Sequence, residues 1–192
     1  MRQPSRAPRS DGVRNRAHLV RVASIAFRDE GFDVGVDEIA KRAEVSVATL
    51  YRHFATKDAL IVAVSGALIE QLTVVRDDAL AGDANDALQR FLRAAMAQLA
   101  ANRGLVQALA ERPPNSAVRH EAREQAISLL APLAARARES GELSDDLDAE
   151  DLLVVLRMLG AVAGSSRSDD PDRYLRIMLP GLRLAEPGRI AR

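Results

Sequence analysis

The 192-residue chain contains no cysteine and no tryptophan, and aromatic side chains make up only 3% of it. Without thiols there is no disulfide framework and no thiolate chemistry, which fits a reducing compartment. Histidine occurs three times, at His18, His53 and His120. His120-Glu121 lacks the second histidine that a zinc-protease helix needs, and no glycine-rich phosphate loop, nucleophile elbow or Cys/His cluster is present. The expectation is a protein that is not an enzyme, with no metal and no cofactor. No uninterrupted apolar run approaches the ~20 residues of a membrane-spanning helix, and the arginine-rich start lacks the apolar stretch of a signal peptide. That predicts a soluble, cytoplasmic protein with no membrane partner. Ala and Leu dominate while β-branched runs stay short, so the fold class expected is all-α, with no strands.

Formal charge is balanced, 27 basic against 27 acidic residues, but unevenly distributed. Residues 1–60 hold 11 Lys plus Arg against 8 Asp plus Glu, a net +3, and residues 61–192 hold 16 against 19, a net −3. Within residues 1–28 the count is 7 against 1. A basic end on an acidic body orients a molecule toward a polyanion. The only two lysines, Lys41 and Lys57, both fall near the densest motif of the chain.

That motif is VDEIAKRAEVSVATLYRHFATK, residues 36–57. Val36, Ile39, Ala40 and Ala43 recur at spacings of three and four, the inner face of a short helix. Glu44 and Val45 make a turn, and Ser46 is a good N-cap for a second helix starting near Val47. Leu50 and Phe54, four apart, point inward. Ser46, Val47, Ala48, Thr49, Tyr51, Arg52 and His53 are left for the outside. Small residues in front and polar ones behind are what a helix needs to approach base edges and hold phosphates, as in a helix-turn-helix. Thr56 caps the next helix, which puts Lys57 in its first turn. A cation there opposes the helix dipole, and a phosphate at the same helix start would reverse the sign.

Along the rest of the chain, residues 1–12 read as a disordered basic arm, and the first helix runs from about Val13 to Glu30. Leu19, Val20, Ala23, Ala26 and Phe27 form its inner face, and Gly31 is placed for a left-handed C-cap. Arg14 and Arg16 near its start are placed to touch a DNA backbone, whereas Arg21 and Arg28 read as solvated. The fourth helix continues to about Leu80, a lever from the motif into a second domain. Gly82-Asp83 breaks it, and Asp83 or Asn85 can cap a fifth helix with Leu88, Phe91, Leu92, Ala95, Met96 and Leu99 on one face. A short sixth helix spans Leu105 to about Glu111, stopped by Pro113-Pro114. The seventh runs from Ser116 to about Ser140 with Val118, Ala122, Ile127, Leu130 and Leu133 inside, and Pro132 should kink it. The acidic run Ser144–Asp151 lacks the alternating ligands and central glycine of a calcium loop, and acidic residues commonly open a helix. The eighth helix is apolar nearly all round, so its second side belongs to another copy of the chain. Pro171 suits the first turn of a ninth.

The segment Leu19–Ala59 resembles the DNA-binding domain of the TetR family of transcriptional regulators: LVRVASIAFRDEGF, VDEIAKRAEVS, VATLYRHF and TKDAL agree with it in order over about 40 contiguous residues. Two positions depart from the family pattern. Gly35 stands where Ser or Thr is usual, which removes a hydroxyl. Glu44 stands where the turn usually has Gly, so a side chain must take positive φ at a cost of order 1 kcal/mol.

The resemblance implies nine helices in two parts: a helix-turn-helix domain over 13–57 and a helical ligand-binding and dimerisation domain over 58–192. It implies that Ser46, Val47, Ala48 and Arg52 face bases of double-stranded DNA while Thr49, Tyr51, His53 and Lys57 hold phosphates. It further implies a homodimer formed by the eighth and ninth helices, about 149–164 and 171–185. The expected function is a repressor released from a palindromic operator by a small-molecule effector. Candidate lining for that effector is Leu92, Met96, Leu99, Leu105, Leu109, Ile127 and Leu130, residues that serve equally as core. The alternative is a helical protein–protein interaction module without effector response, which would show no salt-dependent DNA binding.

Overall fold

Leucines and alanines at helical spacing build nearly everything that can be seen. The computed structural model describes residues 8–106, 116–163 and 171–183. Among them are α1 (Pro8–Glu30), α2 (Val36–Arg42), α3 (Val47–His53), α4 (Lys57–Ala81) and α5 (Ala87–Ala101). A further helix, α6, is described over 103–106. Then come α7 (Ser116–Glu139), α8 (Ala149–Ala163) and α9 (Pro171–Arg183). Two 3-10 turns, Gly31–Asp33 and Ala84–Asp86, complete the elements, and the described residues contain no strand. The all-α expectation therefore holds. Residues 8–12 are helical, so α1 begins ahead of the expected Val13; the other residues of the expected arm lie outside the described residues.

One continuous core joins the parts. Leu19, Ala23 and Phe27 of α1 share it with Ile39 of α2, Leu50 of α3 and Leu60 and Val64 of α4. Farther along α4, Leu68 and Leu72 share it with Phe91 and Leu92 of α5 and Leu130 and Leu133 of α7. By length and hydropathy α4 is apolar enough to cross a membrane, although Ser65, Gly66 and Glu70 interrupt its apolar residues. Its leucine and valine ridge, four residues apart, instead packs into α1, α5 and α7. On α7 the buried ridge is Ala126, Leu129, Leu130, Leu133, Ala134 and Ala137, and the expected Ile127 is only half-buried. The expected Val118 lies outside the described side chains.

Two helices end in the same hydrogen-bonded motif. After α2, Glu44 N–H donates to Lys41 O and Val45 N–H to Ala40 O, both at 3.0 Å. After α7, Gly141 N–H donates to Arg138 O at 3.1 Å and Glu142 N–H to Ala137 O at 2.8 Å. Both are Schellman caps, whose hinge residue must be left-handed. At α7 that residue is Gly141, φ 74°; at α2 it is Glu44, φ 55°. Among the described residues Glu44 is the one non-glycine with positive φ. Gly31, φ 70°, ends α1 as expected.

The cap of α5 is where local reasoning fails. Asp83 accepts from Asn85 N–H at 2.9 Å and so caps the 3-10 turn, not α5. The α5 amides of Leu88 and Gln89 donate instead to the two carboxylate oxygens of Glu142, at 3.0 and 3.2 Å. Glu142 lies just past the Gly141 turn and is buried. The acidic run before α8 does behave as a helix start. Asp148 accepts from Glu150 N–H at 2.7 Å and Asp151 N–H at 3.2 Å, while Asp151 accepts from Asp148 N–H at 2.9 Å. That reciprocal pairing is a capping box.

Candidate nucleic-acid interface

Local chemistry sets the second helix of the motif. Ser46 Oγ accepts from Thr49 N–H at 3.1 Å and lies 2.9 Å from Thr49 Oγ1. Leu50 and Phe54 are buried, which leaves the opposite side of α3 outside: Ser46, Val47, Ala48, Tyr51 and Arg52 are exposed, and Thr49 and His53 are half-buried. The structure thus brings together the seven residues singled out from sequence here, Ser46 as the N-cap and six of α3. Val47 and Tyr51 are 38% and 47% exposed, so the outward side of α3 presents an apolar and an aromatic contact group beside its polar ones.

The flanks are pinned by other means. Thr56 Oγ1 accepts from Ala59 N–H at 3.1 Å, opening α4 as expected. Lys57 is half-buried, and its Nζ donates to Val34 O at 2.8 Å, tying the start of α4 to the segment before α2. Gly35 caps α2 with extended backbone, φ −69° and ψ 150°, and without a side-chain bond. His18 Nε2 lies 3.2 Å from Ala43 O, and Arg21 Nη2 lies 3.0 Å from His18 Nδ1. A neutral imidazole protonated at Nε2 satisfies both contacts. Sequence reading missed this brace between α1 and the motif's turn, because 25 positions separate its ends. Arg21 is therefore not simply solvated.

Charges sort themselves by position. Arg42 bonds Glu38 at 2.9 Å and also reaches Glu30, Lys41 lies 3.7 Å from Glu38, and Arg28 lies 2.9 Å from Asp29. These pairs neutralise the junction of α1 and α2. The hydrogen bond from Arg42, followed by the nearby Lys41 charge, holds the Glu38 carboxyl below its usual range. Arg52 and Arg16, beside or on α3, have no carboxylate partner among the described residues. Uncompensated cations around a helix with small and polar outward residues suit a phosphate-lined groove.

The candidate effector lining looks different. Leu92, Met96, Leu99, Leu105 and Leu130 are buried members of the continuous core, and Ile127 packs half-buried against it. Leu109 lies outside the described residues. An open groove of about 530 Å³ runs between α4 and α7, lined by Ile69, Thr73, Arg76, Glu124, Gln125, Ser128 and Leu129. None of the seven expected residues lines that groove.

Comparison with known proteins extends the likeness beyond the N-terminal motif. The family described as "Bacterial regulatory proteins, tetR family" matches residues 19–64, and "Transcriptional regulator SbtR-like, C-terminal domain" matches residues 83–184. A TetR transcription regulatory protein from Mycobacterium vanbaalenii is 32% identical, with a TM-score of 0.64; the match covers 93% of this chain and 100% of that one. The regulator SCO0520 from Streptomyces coelicolor is 26% identical over 89% of this chain and 99% of its own, with a TM-score of 0.61. Salmonella enterica GusR is 27% identical over 88% and 94%, with a TM-score of 0.66. With both family models and a relative 32% identical over 93% of this sequence in agreement, this chain belongs to the TetR family of DNA-binding transcriptional regulators, transcription factors rather than enzymes.

Proposed function

We propose that the protein is a homodimeric repressor that grips a two-fold symmetric operator and is released by a small molecule. The observation that carries this reading is the outward side of α3, held by Leu50 and Phe54 with Val47, Tyr51 and Arg52 exposed. Ser46, Val47, Ala48 and Arg52 meet base edges, and Thr49, Tyr51, His53 and Lys57 meet phosphates. Arg52 reads guanine through O6 and N7 together, worth roughly 1–3 kcal/mol of discrimination. A DNA partner supports a cytoplasmic location.

Exposed apolar residues support the dimer through α8 and α9. Val154 and Met158, four apart on α8, are 54% and 52% exposed, and Ile177 on α9 is 65% exposed. Large apolar side chains left in water on two helices that both pack against α5 suit a second copy of the same surface. The length of α4, from Lys57 beside the reading helix to Ala81 in the bundle, supports the release mechanism. An apolar effector lodging among Leu92, Met96, Leu99, Leu105, Leu109, Ile127 and Leu130 would tilt α4 and change the separation of the two reading heads. Its effect is bounded by its differential affinity for the two states, typically about 1–3 kcal/mol.

Selection of bound sequences from a random duplex pool tests the reading. The expected result is a palindrome whose half-sites lie about 34–36 Å apart, or a multiple of that. Arg52→Ala should then flatten preference at one base pair per half-site; uniform weakening on all sequences would refute base readout there. Recovery of no palindrome would defeat the two-fold grip.

A further inference from the structure

The guanidinium of Arg16, on the N-terminal half of α1, lies over the ring of Phe54 with its carbon 4.9 Å from the ring centroid. Phe54 is the residue that closes α3, its N–H donating to Leu50 O at 2.9 Å. The same ring touches the His53 ring, centroids 6.5 Å apart and tilted by 47°. Arg16 itself is exposed, and it has no acidic partner among the described residues.

Two consequences follow from guanidinium chemistry. A guanidinium whose carbon lies over an aromatic face engages the ring with its cationic centre and has five N–H donors, which leaves those turned away from the ring open to an oxyanion. Its rotamer freedom is already restricted before any partner arrives, so less entropy is lost on binding. The anchor matters as well. Because Phe54 follows directly on His53 and precedes the Thr56 cap of α4, the cation stands where α3 ends and α4 begins.

We propose that Arg16 is a DNA-phosphate ligand, held ready by the Phe54 ring, which gives each reading head a grip on the backbone at the C-terminal end of α3. The inference rests on the DNA-reading function proposed above and adds a residue from a different helix to it. Arg16 takes the phosphate as a bidentate donor pair, and Phe54 acts as its positioning residue. The competing possibility is that Arg16 merely covers an aromatic ring.

Operator affinity measured against salt separates the two. Each phosphate neutralised adds about 0.9 to the slope of log affinity on log salt. Arg16→Gln should therefore lower the slope of the dimer by roughly 2, one contact per reading head, while Arg16→Lys keeps the slope. Phe54→Leu, which keeps bulk but removes the face, should weaken operator binding more in wild type than in Arg16→Gln, because its positioning role acts only through that cation. Ethylation of operator phosphates supplies a second readout: one interfering position per half-site should vanish with Arg16→Gln. A steep wild-type slope and an interference pattern left unchanged by Arg16→Gln would overturn the clamp alone. A wild-type protein with no salt-dependent affinity for any duplex would overturn the DNA reading and the clamp with it.

Discussion

Glu142 offers the sharpest test of how the bundle is held. Its carboxylate is only 3% exposed and accepts from Leu88 and Gln89, the second and third residues of α5. Those amides have no partner within their own helix, and Asp86 at the N-cap position makes no side-chain cap bond. Glu142 thus does from a distance what an N-cap serine does locally, with a full negative charge at the positive end of the helix dipole. Hydrogen bonds to a charged group are worth about 1.5–3 kcal/mol each, and buried amides left unpaired cost about 1–3 kcal/mol each. Glu142→Ala should therefore destabilise the protein by about 3 kcal/mol. Glu142→Gln keeps one acceptor but turns an amide N–H₂ toward the other donor, and should lose about half as much. Chemical unfolding at fixed protein concentration reads the difference, because dimerisation makes stability concentration-dependent. Thermal midpoints should fall by about 6–12 °C for the alanine variant. An alanine variant within about 0.5 kcal/mol of wild type, or a glutamine variant no better than alanine, would refute the reasoning.

Three further outcomes can be checked with the same instruments. Glu44→Gly removes a side chain from a left-handed position, a gain of about 1–2 kcal/mol partly offset by unfolded-chain entropy, so stability should rise by about 0.5–1 kcal/mol; Glu44→Ala should show no such gain. A Cβ at Gly104 would sit 2.2 Å from Arg28 O and 2.5 Å from Phe27 O, so Gly104→Ala must push α6 away from the end of α1. Such overpacking costs about 1–3 kcal/mol, and it should weaken operator binding by displacing the reading head; unchanged melting and affinity would disprove that close approach. The Glu38 carboxyl is held below its ordinary 4.5 by the Arg42 hydrogen bond and then the Lys41 charge. Its stabilising contribution is complete above 4.5 and is lost as pH falls through the lowered value. Wild type and Glu38→Gln should therefore differ at neutral pH and converge in acid, by urea titration across that range.

Short-range hydrogen bonding explains why so much of the reading head was legible. Ser46 and Thr56 cap helices by reaching amides three residues away, and Leu50 and Phe54 face inward because four residues make about one turn. The strained Glu44 could be anticipated because the turn needs a left-handed residue whatever occupies it. The expected effector lining is of another kind. An apolar periodicity shows that a face is buried but not whether a neighbouring side chain or a ligand covers it, and Leu92, Met96 and Leu99 are buried in the continuous core.

By itself, then, the order of residues determined helix type, the caps of α3 and α4, most inward faces and the outward side of α3, since each depends on atoms within about one turn of one another. Only the tertiary structure decided that Glu142 closes α5, that Gly104 admits the carbonyls of α1 and that Arg16 settles on Phe54. Those pairings join residues tens of positions apart, and no local preference encodes them; they exist because packing the shared core brings the partners within a few ångströms.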